Sequence, residues 1–179
     1  MKVFLMRHSE PTYADVEERG YTGFGCDLGK LTRRGIGIAE EAATTLITSG
    51  AADGIELIVS SPYTRALQTA AIVSRMTGLK IEVETDLHEW IPDMAYQSNG
   101  AYAGASWTEY EIKGGVRDAE CVYNWEEFEP IRKRALAALA KYRESCGCIL
   151  AVAHGGVIRA VLNKKMEHVD YCQVFETSI

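Results

Sequence analysis

Apolar residues recur along the chain in two rhythms. Short continuous apolar runs over 2–6, 56–60 and 148–153 read as buried strands. Ile81 to Thr85 alternates apolar and polar and reads as a further strand, and Gln173 to Glu176 as a last one. Between these runs the period changes to that of a helix. Ile36, Ala39, Ala43, Leu46 and Ile47 form one predicted buried stripe, in a helix capped by Thr32 and stopped by Gly50. Ala66, Ala70 and Val73 form a second, with Ser61 as predicted cap, Pro62 at the first helical position and Gly78 at the end.

Phe128, Ile131, Ala135, Leu139 and Tyr142 mark a third helix. Pro130 leaves its start open: either Asn124 and Glu127 cap it and it bends at Pro130, or it begins at Pro130. A fourth helix follows Gly155 and Gly156, through Val157, Ile158, Val161 and Leu162. Residues 11–30 read as loop. Residues 90–123 hold many aromatics and glycines without a long period. A compact domain seldom keeps so long an irregular stretch without a use for it, so they read as an excursion over a site, with a short helix near Trp107. Strands alternating with helices predict an α/β fold, with helices on both faces of a mainly parallel sheet.

Length and composition add bounds. The 179 residues fit one domain, 1–179, and 47% hydrophobic with 25% charged residues is ordinary for a soluble globular chain. A net charge of -6 argues against a general nucleic-acid binder but not against an anionic substrate, which needs only a local cluster of arginines. The apolar run before Arg7 is too short for a signal peptide or membrane span, and no later segment is long enough to span. A cytoplasmic protein without membrane association is expected. The five cysteines are odd in number and scattered, so free thiols are expected. The sequence leaves a homodimer open.

In open α/β sheets ligands bind beyond the carboxyl ends of strands. Those ends carry Arg7 and His8, then Ser60, Ser61 and Arg65, then His88 and Glu89, then His154 and Gly155. Their convergence suits a phosphate ester. Arg7 and Arg65 offer paired planar donors to phosphate oxygens. A neutral His8 is a competent nucleophile near pH 7, His154 can share the charge of the transferring group, and Glu89 can give the leaving alkoxide its proton. His88 reads as structural or solvent-facing. Ser9 and Thr12 are candidate phosphate contacts. The acidic Glu126, Glu127 and Glu129 read as a helix N-terminus that balances the dipole. No metal motif or cofactor motif is present, and the four histidines lack metal-ligand spacing.

Five blocks in order carry a family resemblance: Leu5-Met6-Arg7-His8-Ser9-Glu10, Leu31-Thr32-Arg33-Arg34-Gly35, Ser60-Ser61-Pro62-Tyr63-Thr64-Arg65-Ala66, Leu87-His88-Glu89 and Val152-Ala153-His154-Gly155-Gly156. Together they resemble the histidine phosphatase, or phosphoglycerate-mutase-like, superfamily. The resemblance implies a three-layer α/β/α sandwich. It implies a phosphate pocket of Arg7, His8, Arg65 and His154, with Glu89 as proton donor. It also implies a metal-independent phosphatase that acts on small-molecule phosphomonoesters through a phosphohistidine, without a cofactor. A phosphoglycerate-type mutase is the alternative, which the short chain disfavours, and a non-catalytic phosphate-binding module ranks last. Ser9 stands in place of the family's usual glycine and Pro11 in place of its threonine, so the chemistry is better determined than the substrate. The aromatic excursion favours a partly apolar or ring-bearing leaving group.

Overall fold

The computed structural model describes residues 1–164 and 168–179. Strand β1 spans Lys2–Arg7. A two-residue ladder, β2 (Pro11–Thr12) with β3 (Lys30–Leu31), brackets helix α1 (Ala14–Glu18) and a 3-10 turn over Gly23–Leu28. The expected loop of residues 11–30 is therefore partly ordered. Helix α2 (Arg33–Thr48), strand β4 (Leu57–Ser60), helix α3 (Thr64–Thr77) and strand β5 (Ile81–Val83) follow. The chain continues through α4 (Gly100–Ile112), α5 (Phe128–Ala140), β6 (Cys148–Ala153), α6 (Gly155–Leu162) and β7 (Val174–Ser178).

The sheet order is β5-β4-β6-β1-β7. The first four strands run parallel and β7 is antiparallel at the edge. Alternate residues of the central strands separate two cores, as the pleat requires. Val3, Leu5, Val59, Ile149 and Ala151 pack with Ile131 and Leu139 of α5 and Ile158 of α6. Phe4, Met6, Ile58, Leu150 and Val152 pack with Ala43 and Leu46 of α2 and Ala66, Ala70 and Val73 of α3. β4 and β6 are buried throughout, which is why their sequences are unbroken apolar runs.

Several local expectations are corrected. Ile36 and Ile47 are 43% and 41% exposed, because the stripe of α2 runs through Gly35, Ala39, Ala43 and Leu46 and leaves them on its shoulder. Ser61 does not cap α3. Its hydroxyl is turned to His154, Tyr63 stays extended, and the helix begins at Thr64. β5 stops at Val83 because the Glu84 carboxylate accepts the Asp86 amide at 3.2 Å and starts a 3-10 turn over Thr85–Leu87. Neither predicted start of α5 is right. Glu127 occupies the cap position, and Pro130 is the third helical residue, where an amide has no intrahelical acceptor to lose. The excursion holds a 13-residue helix, α4, capped by Asn99 Oδ1, which accepts the Tyr102 amide at 3.0 Å. Only Ser106 and Tyr110 of α4 are buried, so its sequence carries almost no helical period.

Candidate active site

The parallel strands deliver the candidate residues to one edge. The ladder between β1 and β6 continues one step past Arg7, where the His8 amide donates to the Ala153 carbonyl at 2.9 Å. His8 and His154 are thereby set side by side, with ring centroids 5.1 Å apart. His8 is almost wholly buried, and its Nδ1–H donates to the Ser9 carbonyl at 2.7 Å. That bond fixes the tautomer and leaves Nε2 with its lone pair. Arg65 Nε donates to Nε2 at 3.3 Å. Burial, with the Arg65 charge next, pushes the His8 pKa down to about 3.

Arg65 is itself buried, and its second group donates to Asp27 Oδ1 at 3.1 Å. Burial raises the Asp27 carboxyl above the usual range despite the neighbouring guanidinium. Arg7 donates to the Val169 carbonyl and lies 4.4 Å under the Tyr171 ring, while its buried Nε has no protein partner. His154 is fully buried and shares a 2.7 Å hydrogen bond between Nε2 and Ser61 Oγ. Its Nδ1 is the ring atom without a protein partner, and burial holds its pKa well below the ordinary value. Two unpaired buried nitrogens beside a lone-pair nitrogen make a cluster with spare hydrogen-bonding capacity for an oxyanion.

Glu89 reaches the same edge from the segment after β5. Its carboxylate accepts from the Trp90 amide at 2.9 Å and the Gly156 amide at 3.3 Å. A Cβ at Gly156 would lie 2.4 Å from Glu89 Oε1, so only glycine lets the acid sit there. Arg134 of α5 fixes the segment by donating to the carbonyls of Asp86, His88 and Glu89. Glu126 pairs with Arg134 at 2.7 Å and accepts the Ile91 amide, and its carbonyl accepts from Trp90 Nε1. Glu126 is thus a buried brace just before α5, not a charge balancing the helix dipole as expected from the sequence. His88 is half-buried, with its Nδ1 turned to the Glu89 carbonyl.

Ser9 and Thr12 lie on the loop beyond His8. The Ser9 side chain is fully buried, its hydroxyl donates to the Gly35 carbonyl at 2.6 Å, and its amide donates to Thr69 Oγ1. Thr12 Oγ1 accepts the Ala14 amide at 3.3 Å. Asp27, Tyr63, Tyr171 and Arg134 were missed in the sequence. They stand in loops or on a helix whose apolar period says nothing of a bracing arginine.

Solved structures with this fold include a mycobacterial glucosyl-3-phosphoglycerate phosphatase in complex with VO3, 22% identical, TM-score 0.72, covering 99% of this chain and 90% of that one. The Bacillus stearothermophilus protein YhfR is 19% identical, TM-score 0.72, covering 99% and 91%. A phosphoglycerate mutase from Bacillus anthracis is 20% identical, TM-score 0.68, covering 98% and 86%. No curated protein matches the sequence. The family profile of the histidine phosphatase superfamily (branch 1) matches residues 3–178.

The chain belongs to the histidine phosphatase superfamily.

This member of the superfamily has a cavity of about 720 Å³ beside the His8 cluster. Asp27, Tyr63 and Glu89 form the wall between the two. Trp90, Ile91, Pro92 and Tyr96 line it from one loop, and Tyr21 and Phe24 from the other. The two loops meet where Phe24 stacks on Tyr96 at 4.4 Å and the Gly23 amide donates to the Ser98 carbonyl at 2.8 Å. Trp107 instead stacks on Tyr110 and meets Trp90 edge-on, and Tyr102 packs against Tyr123. Among the described residues, no helix is long and apolar enough to cross a membrane, and no group of three His, Cys, Asp or Glu is placed to hold a metal ion.

Proposed function

We propose that the protein hydrolyses phosphomonoesters without a metal, through a phosphohistidine on His8. The observation that carries this is the state of His8: buried, neutral, one nitrogen anchored on Ser9 and the other facing Arg65. Nε2 attacks phosphorus as the bond to the leaving oxygen breaks. Arg65 exchanges its contact with Nε2 for a phosphoryl oxygen, and Arg7 Nε and His154 Nδ1 donate to the others. Such fixed donors supply most of what phosphoryl transfer needs. Glu89 gives its proton to the departing alkoxide, then takes one from the water that attacks the phosphohistidine. Ser9 serves as a loop brace in this scheme, because its hydroxyl proton is committed to the Gly35 carbonyl; Thr12, whose Oγ1 accepts the Ala14 amide, keeps its hydroxyl proton for a substrate oxygen.

The test is phosphate release from a panel of phosphomonoesters in excess chelator, with His8→Ala as control. Turnover in chelator that is lost in the variant is expected. Full activity in His8→Ala, strict dependence on a metal, or transfer between substrate positions without phosphate release would overturn the reading.

A further inference from the structure

The phosphate cluster cannot choose among alcohols, so the neighbouring cavity must. Three properties of the cavity narrow the choice. Its 720 Å³ lies within the range of about 300–1,000 Å³ that encloses a drug-sized organic group. Its walls are apolar and aromatic, with Phe24 stacked on Tyr96, and Tyr21, Trp90, Ile91 and Pro92 around them. Among the described residues, no lysine, arginine or histidine lines it, whereas Glu17, Asp27, Glu89 and Asp93 do.

That charge balance works against a second anionic group. A carboxylate or second phosphate on the leaving alcohol would enter a space with four carboxylates and no cation of its own, while the nearby Arg65 is held by Asp27 and His8. A cation is not specifically matched either. Asp93 is buried with its oxygens on the Ala95 and Gln97 amides, Asp27 is paired with Arg65, and Glu89 holds the Trp90 and Gly156 amides. Aromatic faces remain the main recognition surface.

We infer that the substrate is a phosphomonoester of an uncharged, ring-bearing alcohol, whose ring lies among Phe24, Tyr96 and Trp90 while Asp27, Tyr63 and Glu89 separate it from the phosphoryl group. The assignment rests on the phosphomonoesterase reading above. It makes Phe24 and Tyr96 specificity residues, supplied by two loops that meet at their stack.

The test compares kcat/KM for four primary alkyl phosphates with similar leaving groups: 2-naphthylmethyl phosphate, glycerol 3-phosphate, 3-phosphoglycerate and phosphocholine. The naphthylmethyl ester should exceed 3-phosphoglycerate and phosphocholine by more than tenfold. Phe24→Ala and Tyr96→Ala should each cut that ratio by about three- to tenfold, the worth of one aromatic contact. Both residues are largely exposed, so the fold should tolerate the changes. Glu17→Lys, which places a cation on the cavity wall, should move the ratio toward 3-phosphoglycerate. Equal turnover of all four esters, preference for 3-phosphoglycerate or phosphocholine, or ratios unmoved in all three variants would overturn the inference and leave the phosphatase reading standing. No phosphate release from any ester would overturn both.

Discussion

Arg65 Nε donates to His8 Nε2 across 3.3 Å, so the guanidinium rests on the lone pair of the histidine beside it. The contact can exist only while that nitrogen carries no proton. Its distance is long for a hydrogen bond to a ring nitrogen, and an incoming phosphoryl oxygen offers Arg65 a charge-assisted replacement. Arg65→Lys keeps the charge but loses the planar fork that spans His8 and Asp27. A fall in kcat/KM on the order of 10²-fold is expected in steady-state assays, the usual cost of one preorganised donor.

The buried histidines predict an unusual titration. His8 has its pKa lowered to about 3, mainly by burial, and His154 is lowered as well. NMR titration should show both rings neutral from pH 5 to 8. The stability consequence has a definite sign. Below the ordinary histidine pKa of about 6.5 the unfolded chain takes up protons that the native rings refuse. The His8 contribution is therefore full above that pH and is lost as pH falls toward 3, at roughly 1 kcal/mol per pH unit, and His154 acts in the same direction. Chemical denaturation at pH 5 and pH 7 should show a smaller loss of stability in His8→Asn than in the parent protein.

Glu89→Gln should lower kcat by about 10²- to 10⁴-fold on alkyl phosphates, with little change in KM. On p-nitrophenyl phosphate, whose leaving group needs no proton, formation of the phosphohistidine should be far less affected, so a burst of nitrophenol should precede slow turnover limited by water attack. Gly156→Ala should copy this pattern, because its methyl group would occupy the place of the Glu89 carboxylate.

Ser9→Ala removes the donor to a buried carbonyl of α2. A loss of about 1–3 kcal/mol is expected in denaturant unfolding, with KM for phosphomonoesters unchanged. A raised KM at unchanged stability would mean that the hydroxyl binds substrate instead.

Much of the site was legible because it stands on strand ends. Arg7, His8 and His154 follow apolar runs whose burial fixes where they emerge, and Arg65 is the second residue of the helix after β4. The braces were not legible. Arg134 and Glu126 lie far apart from Glu89 in sequence and meet it only through folding, and each alone reads as a surface charge. Ser61 had two compatible uses, as a helix cap or as a partner for His154, and only the register of β4 against β6 decides between them. The cavity escaped for a similar reason. Nearly half of its wall comes from residues 13–27, whose short helix and 3-10 turn have no periodic pattern, and Trp107 and Tyr110 of α4 pack against one another instead.

The most direct measurement is capture of the phosphoenzyme. Protein mixed with a turned-over phosphomonoester and quenched in alkali, where phosphohistidine survives, should carry one phosphoryl group on the peptide that contains His8 and none on the peptide that contains His154. His8→Ala should carry no label. Label on His154, or rapid turnover with no phosphohistidine at any time after mixing, would contradict the account.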